Sequence, residues 1–223
     1  LFETGLVFSC VEGTRIQEPS LGMVFAGRKN IEGWANESRE TDFFDVKGDL
    51  EEILALTGRS QDFSFVADVR SGFHPGQTAR IQRDGEGIGW LGAIHPEFSS
   101  SLGVETQVIA VEIKLDPILS TRLPEFGEIP RYPEVRRDLA FLINRRVTAE
   151  EIMCCVRSSA GEHLVDLTLF DVYWGEGIDP KRKSVAVGLT FCDLSSTLED
   201  ETISVALERV VDSLRDSFGA ELR

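Results

Sequence analysis

The chain has 223 residues, with 23 Lys+Arg against 38 Asp+Glu, a formal net charge of −15 and 42% hydrophobic residues. That length suits one large domain or two ordinary ones with a sizeable core, and the composition excludes a disordered chain. The acidic balance argues against a protein that coats nucleic acid or an anionic membrane by bulk attraction. Cys10, Cys154, Cys155 and Cys192 are too sparse for a disulfide framework and read as reduced structural thiols of a cytoplasmic protein. No C-x-x-C occurs and the three histidines lie far apart, which speaks against structural zinc. The longest apolar runs, such as Leu139 to Ile143, are too short for a membrane span. The opening Leu1-Phe2-Glu3-Thr4-Gly5 has neither Met nor a signal-peptide pattern, so the chain reads as a piece of a longer protein.

In chain order, Leu1 to Val11 and Gly22 to Gly27 are expected to be strands. Phe43 to Thr57 is expected to be a helix with Val46, Leu50, Ile53, Leu54 and Leu56 as its apolar stripe, stopped by Gly58. Thr78 to Gln82 and Gly87 to Ile94 form a hairpin around Asp84-Gly85, and Val108 to Leu115 alternates as a strand. The stretch from Ser120 to Pro130 loses periodicity and carries two prolines, the chemistry of a linker. We therefore expect two domains, 1–125 and 129–223.

The second part has a cleaner order. Asp138 to Ile143 is a strand, and Thr148 with Glu151 makes a capping box for a helix running to Gly161. Val165 to Tyr173 and Ser184 to Cys192 are strands. The latter places Val185, Val187, Leu189 and Phe191 on one face and Ser184, Ala186, Gly188 and Thr190 on the other. Ile203, Leu207, Val210, Leu214 and Phe218 mark an amphipathic helix, and Ala220 to Arg223 adds a last strand. The fold class is α+β, ending in a β-α-β-β-α-β ferredoxin-like unit whose sheet keeps one face free of helices.

Several motifs invite chemistry. Gly87-Ile88-Gly89-Trp90-Leu91-Gly92 matches G-x-G-x-x-G, but a hairpin precedes it and His95-Pro96 follows where a helix should open, so close packing explains it better than a nucleotide does. His74-Pro75 and His95-Pro96 lack a nucleophile or an orienting partner and read as punctuation at strand ends. Asp42, Asp45, Asp49, Glu51 and Glu52 surround a helix start, where acids favour the dipole; a divalent-cation site is the other reading. Arg131, Arg136, Arg137, Arg145 and Arg146 flank the first strand of the second domain, and Lys181-Arg182-Lys183 enters its third. First and third strands are central neighbours in this topology, so the two segments are expected to share one edge of the free face, as sheets that bind single-stranded RNA do. Against this, residues 129–223 hold 12 Lys+Arg and 17 Asp+Glu and lack interleaved strand aromatics, so a solvated patch stays open.

The run from Ile129 to Ala140, IPRYPEVRRDLA, resembles the start of the ferredoxin-fold anticodon-binding domain that closes the β subunit of bacterial phenylalanyl-tRNA synthetases. So do Leu169 to Gly175, Lys183 to Ala186, Thr197-Leu198 and the ending from Phe218 to Arg223. Leu1 to Gly5, Asp42 to Glu51, His74 to Gln77 and Ile88 to Glu97 are similar to the catalytic-like domain of the same subunit.

The resemblance implies an N-terminally truncated domain of class II synthetase fold over 1–125 and an anticodon-binding domain over 129–223. In that family an (αβ)₂ tetramer joins phenylalanine to its tRNA with ATP and Mg²⁺, and the α subunit holds the active site. This chain is then expected to carry no catalytic residue, no metal and no cofactor of its own. In agreement, Phe2 to Phe8 lacks the ATP-gripping arginine of class II enzymes, and no arginine follows Gly85 to Gly92 at once. The implied partners are the α subunit and phenylalanine tRNA, in the cytoplasm and away from membrane. Arg131, Arg136, Arg137, Lys181, Arg182 and Lys183 are candidate phosphate contacts, with Tyr173 or Trp174 as a base-stacking surface. The alternatives are a purely structural pair of domains that touches no RNA, and an independent nucleotide-using enzyme.

Overall fold

The computed structural model describes residues 1–11, 13–123 and 130–223. Their contacts divide the chain into two compact units, Leu1–Glu125 and Phe126–Arg223. Of the expected linker, residues 124–129 lie outside the described residues.

The first unit is a six-stranded antiparallel sheet. Its strands are β1 (Phe2–Val11), β2 (Thr14–Ala26), β3 (Phe63–Ala67), β4 (Phe73–Arg83), β5 (Glu86–Ile94) and β6 (Val108–Lys114), in the order β1-β2-β6-β5-β4-β3. Helix α1 (Phe43–Ala55) lays Val46, Leu50 and Leu54 against Ile81, Leu91, Ile109, Val111 and Ile113. The expected stripe holds except at its end: Leu56 caps the helix and is 83% exposed. The hairpin is built as its sequence demands. Asp84 at φ 50° and Gly85 at φ 82° form the two-residue turn, with Arg83 paired to Glu86.

Four elements of this unit are not evident from periodicity. β2 extends back to Thr14 through Gln17, Glu18 and Pro19, whose polarity breaks the alternation. β3 is only five residues long. Two short helices, α2 (Pro96–Ser101) and α3 (Leu115–Leu119), follow β5 and β6.

The second unit has β7 (Val135–Asn144), α4 (Ala149–Ala160), β8 (Leu164–Tyr173), β9 (Arg182–Phe191), α5 (Asp200–Phe218) and β10 (Glu221–Leu222). The sheet order β10-β7-β9-β8 puts the first and third strands at the centre, antiparallel throughout. This is the expected ferredoxin-like arrangement. Thr148 and Glu151 form the reciprocal capping box of α4, and Gly219 ends α5 in the left-handed conformation at φ 63°. Ile152, Val156 and Ala160 of α4 share one core with Ile203, Ala206, Val210 and Leu214 of α5 and the inward residues of the sheet. Both helices therefore lie on one face.

Asp45 is the electrostatic anchor of the first unit. Its carboxylate accepts hydrogen bonds from Lys29 and Arg39 and from the backbone N–H of Asp42, while Asp42 caps α1 by accepting from Asp45 N–H at 2.9 Å. Of the acidic cluster at this helix start, Asp42 and Asp45 are thus spent on capping and on holding Lys29 and Arg39, while Glu51 pairs with Lys47. The Arg39 hydrogen bonds, helped by Lys29, hold the Asp45 carboxyl far below the ordinary aspartate value of 3.8. A depressed folded value means that its contribution is complete above that ordinary value and fades as pH falls toward the folded one. Asp45→Asn is expected to lower the unfolding free energy by about 1.5–3 kcal/mol at pH 7. In urea titrations the gap to the native chain should narrow at pH 3, and an equal gap at both pH values would contradict the assignment.

Candidate nucleic-acid interface

The open face of the second sheet follows from alternation along β9. Val185, Val187, Leu189 and Phe191 are at most 1% exposed on the helix side, which leaves Ser184, Ala186, Gly188 and Thr190 on the other. The register sets Arg136, Asp138, Ala140 and Leu142 of β7 beside Thr190, Gly188, Ala186 and Ser184. A shallow central strip of small side chains results, bordered by larger ones.

At one end of this face lies Arg136. Its guanidinium crosses Gly188, where an added Cβ would sit 2.6 Å from Nη2, and reaches over the Phe170 ring at 5.6 Å. Nε donates to Asp138 at 3.0 Å. Phe170 follows inward-facing Leu169 and is 48% exposed, and the bulge between Leu169 and Asp171 keeps Asp171 on the same outer side before Val172 turns inward again. Arg137 has the opposite parity: it points to the helix side and donates to Asp200, in the first turn of α5, at 2.8 Å. Arg131 is exposed in the segment entering β7.

The other end of β7 lies about 26 Å along the strand from Arg136. There the backbone N–H of Arg145 donates to the Lys181 carbonyl at 2.9 Å, so the turn after β7 and the loop entering β9 meet. The Arg145 guanidinium stacks on Trp174 at 5.6 Å. Trp174 is 55% and Tyr173 43% exposed, and the Tyr173 hydroxyl donates to the Glu176 carbonyl within the same loop. Lys181 and Arg146 are exposed beside this stack.

Two of the basic residues here have inner partners. Lys183 pairs with buried Ile143, and its ammonium donates to the Val147 carbonyl at 2.6 Å. Burial, with Arg145 adding to it and Glu151 opposing, holds that ammonium below the ordinary lysine value. Arg182 donates to the carbonyls of Leu142 and Gly219 and pairs with Glu221 at 2.8 Å. Arg223 reaches the Ser184 hydroxyl at 3.3 Å. The two basic segments thus share an edge through Arg145, Arg146 and Lys181–Lys183, whereas Arg131, Arg136 and Arg137 stand at the opposite end.

Among the described residues of the first unit, the glycine run is packed and the cations near it have partners within the unit. Gly89 packs against β6 so closely that a Cβ would lie 2.4 Å from the Glu112 carbonyl oxygen, and one on Gly92 would lie 2.6 Å from Phe73. The glycine run is a packed strand, and its residues do not fit a nucleotide. Nearby cations are held by carboxylates or rings: Arg70 by Glu112, Trp90 and Phe73, Arg80 by Asp68, and Lys114 by Glu18. His74 and His95 accept hydrogen bonds at Nδ1 from the backbones of Gly76 and Glu97. The four cysteines are free thiols. Among the described residues no helix is long and apolar enough to cross a membrane, and no group of three or more acidic, His or Cys side chains is placed to hold a metal ion.

The family model described as "Phenylalanyl tRNA synthetase beta chain CLM domain" matches residues 1–115, and that of the "Ferredoxin-fold anticodon binding domain" matches residues 130–223. The chain belongs to the phenylalanyl-tRNA synthetase β-subunit family. Among relatives named phenylalanine–tRNA ligase β subunit, that of Pseudomonas fluorescens is 47% identical over 224 residues. Those of Shewanella oneidensis and Colwellia psychrerythraea are 42% and 40% identical over 227 residues. Each match covers all of this chain and 28% of the relative, so the chain spans little more than a quarter of the length of these family members.

The geometry at Arg137 makes a direct test of how firmly that side chain is engaged. Both partners are substantially exposed, so a double-mutant cycle on Arg137 and Asp200 is expected to return a coupling of under about 1 kcal/mol. Chemical unfolding of the two single variants and the double variant measures it. A coupling above about 2 kcal/mol would mean that Arg137 is locked to α5 as a structural clamp.

Proposed function

We propose that these 223 residues serve within the β subunit of a phenylalanine–tRNA ligase, with the second unit binding the anticodon stem-loop of phenylalanine tRNA. The observation that carries this reading is the open face of the second sheet, which ends in the Arg145–Trp174 stack beside Lys181. It lies in a unit matched along its length by an anticodon-binding family model. An RNA loop presents unstacked bases between phosphates, and the face offers aromatic rings with cations beside them. Arg136 over Phe170 supplies the same pairing at the other end.

In this reading the first unit is a class II synthetase-like domain without catalytic residues, helping to scaffold an (αβ)₂ tetramer. The reaction takes place on the α subunit with ATP and Mg²⁺, in the cytoplasm. Arg131, Arg136 and Lys181 make phosphate contacts, and Tyr173 and Trp174 form the stacking surface. Arg182 and Lys183, each with a partner inside the unit, chiefly hold the edge of the face in place, and Arg137 lies on the helix side in an exposed pair with Asp200. Arg145 and Phe170, which the motif reading did not single out as contacts, join the interface.

A second reading, a purely structural pair of units, draws on the same ion pairs: Arg136 to Asp138 and Arg182 to Glu221 show that local acids already satisfy part of the basic set. Binding of phenylalanine tRNA to the assembled enzyme across a salt series separates the two. Replacing Arg136 and Lys181 with Ala together is expected to weaken binding and to lower the salt slope by about 2, one for each lost phosphate contact. Lys183→Met, which alters an inward-facing group, should leave the slope unchanged. An unaltered slope in the double variant would favour the structural pair.

A further inference from the structure

Two stretches far apart in the chain, the start of α1 and the middle of β4, meet around a hollow of about 490 Å³ in the first unit. Phe43 and Phe44 of α1 and Phe65 of β3 line it. The rings of Phe43 and Phe44 stand edge to face at 5.4 Å, and Phe44 is 75% exposed. A hollow of this size lies in the range of small-molecule sites, which are mostly apolar with a few polar groups that fix orientation.

The polar groups are few and of defined kind. Lys47 follows Phe43 by one helical turn, so its ammonium reaches the same hollow, over the Phe65 ring at 4.7 Å. It pairs with Glu51, which leaves two of its three N–H groups for another acceptor. The Gln107 side chain donates to that of Gln77 at 2.7 Å, so the Gln77 amide N–H groups and the Gln107 side-chain carbonyl stay available to a polar substituent. Asp42 at the rim is no obstacle to an anion, because its carboxylate accepts from Asp45 N–H and Arg39 stands 3.7 Å away.

We propose that this hollow binds a small aromatic carboxylate, with its ring among Phe43, Phe44 and Phe65 and its carboxylate on the Lys47 ammonium. Aromatic rings pair edge to face or offset with a further ring, so a flat ligand uses what three phenylalanines offer better than a branched aliphatic one does. Lys47 is the one cation lining the hollow among the described residues, and it matches a single negative charge. A nucleotide or an RNA strand brings several phosphates to one lysine that is already shared with a carboxylate. A neutral aromatic fills the apolar part and leaves the ammonium with Glu51 alone. The site lies outside the proposed RNA-binding function, which belongs to the second unit.

Equilibrium dialysis of naphthoate against the assembled enzyme tests this, with naphthamide as the neutral counterpart of the same shape. One saturable naphthoate site per β subunit is expected, and naphthamide should occupy it about fivefold more weakly. Lys47→Met should weaken naphthoate about tenfold and leave naphthamide unchanged, whereas Phe44→Ala should weaken both about threefold. Glu51→Gln should tighten naphthoate about twofold by freeing the ammonium. Equal affinity for the two probes, no naphthoate binding, or binding that Lys47→Met and Phe44→Ala leave untouched overturns the proposal. So does binding to the full-length β subunit alone that is lost in the assembled enzyme, which would make the hollow part of a subunit interface. The Lys47 and Phe44 side chains both reach solvent, so the variants are expected to fold, and comparing the two probes on the native enzyme needs no variant at all.

Discussion

The strict alternation along β9 is the constraint on which the second unit depends. Val185, Val187, Leu189 and Phe191 commit one face of the sheet to the helices, and α4 and α5 fill that face with Ile152, Val156, Ile203, Val210 and Leu214. A sheet whose helices are both on one side must show its other side to something else. Here that side carries Gly188, Ala186 and Ser184 at its centre, and such small residues leave room for long side chains to lie flat. Arg136 does so over Gly188, and Arg223 reaches Ser184. The proposed interface is in this sense a by-product of how the core is packed, and its chemistry comes from the rim.

Charge acts at two scales. The formal −15 describes long-range repulsion from polyanions, but it is spread over both units and screened beyond about 10 Å in ordinary salt. Contacts within a few ångströms are set by local arrangement. At the corner after β7, the backbone link between Arg145 and Lys181 gathers two cations beside the ring of Trp174. Elsewhere the same kinds of residue are paired off internally: Arg70 with Glu112, Arg39 and Lys29 with Asp45, Arg182 with Glu221. Whether a cation is available thus depends on which carboxylate the fold brings beside it.

Much of this was legible in the sequence wherever a short-range rule decides the structure. The Asp84-Gly85 turn, the capping box of Thr148 and Glu151, and the stripes of α1 and α5 all follow from local geometry, and the second unit's topology follows from their order. What escaped depends on long-range register. Arg136 and Arg137 are neighbours in sequence, yet the pleat sends one to the open face and the other to α5. The bulge after Leu169 leaves both Phe170 and Asp171 on the outer side of β8, which strict period 2 does not give, and Lys183 looks like part of an exposed basic run until its pairing with Ile143 turns it inward. Leu56 obeys the helical period but falls one residue past the helix, where nothing covers it.

The central claim is that RNA meets the open face of the second unit while the helical face stays with the protein. Hydroxyl-radical footprinting of the assembled enzyme, with and without phenylalanine tRNA, tests it most directly because the relevant side chains are reactive aromatics. Phe170, Tyr173 and Trp174 should lose reactivity when the tRNA binds, with Met153 on α4 and Leu207 on α5 unchanged. Protection confined to α4 and α5, or none anywhere in residues 130–223, would contradict the claim.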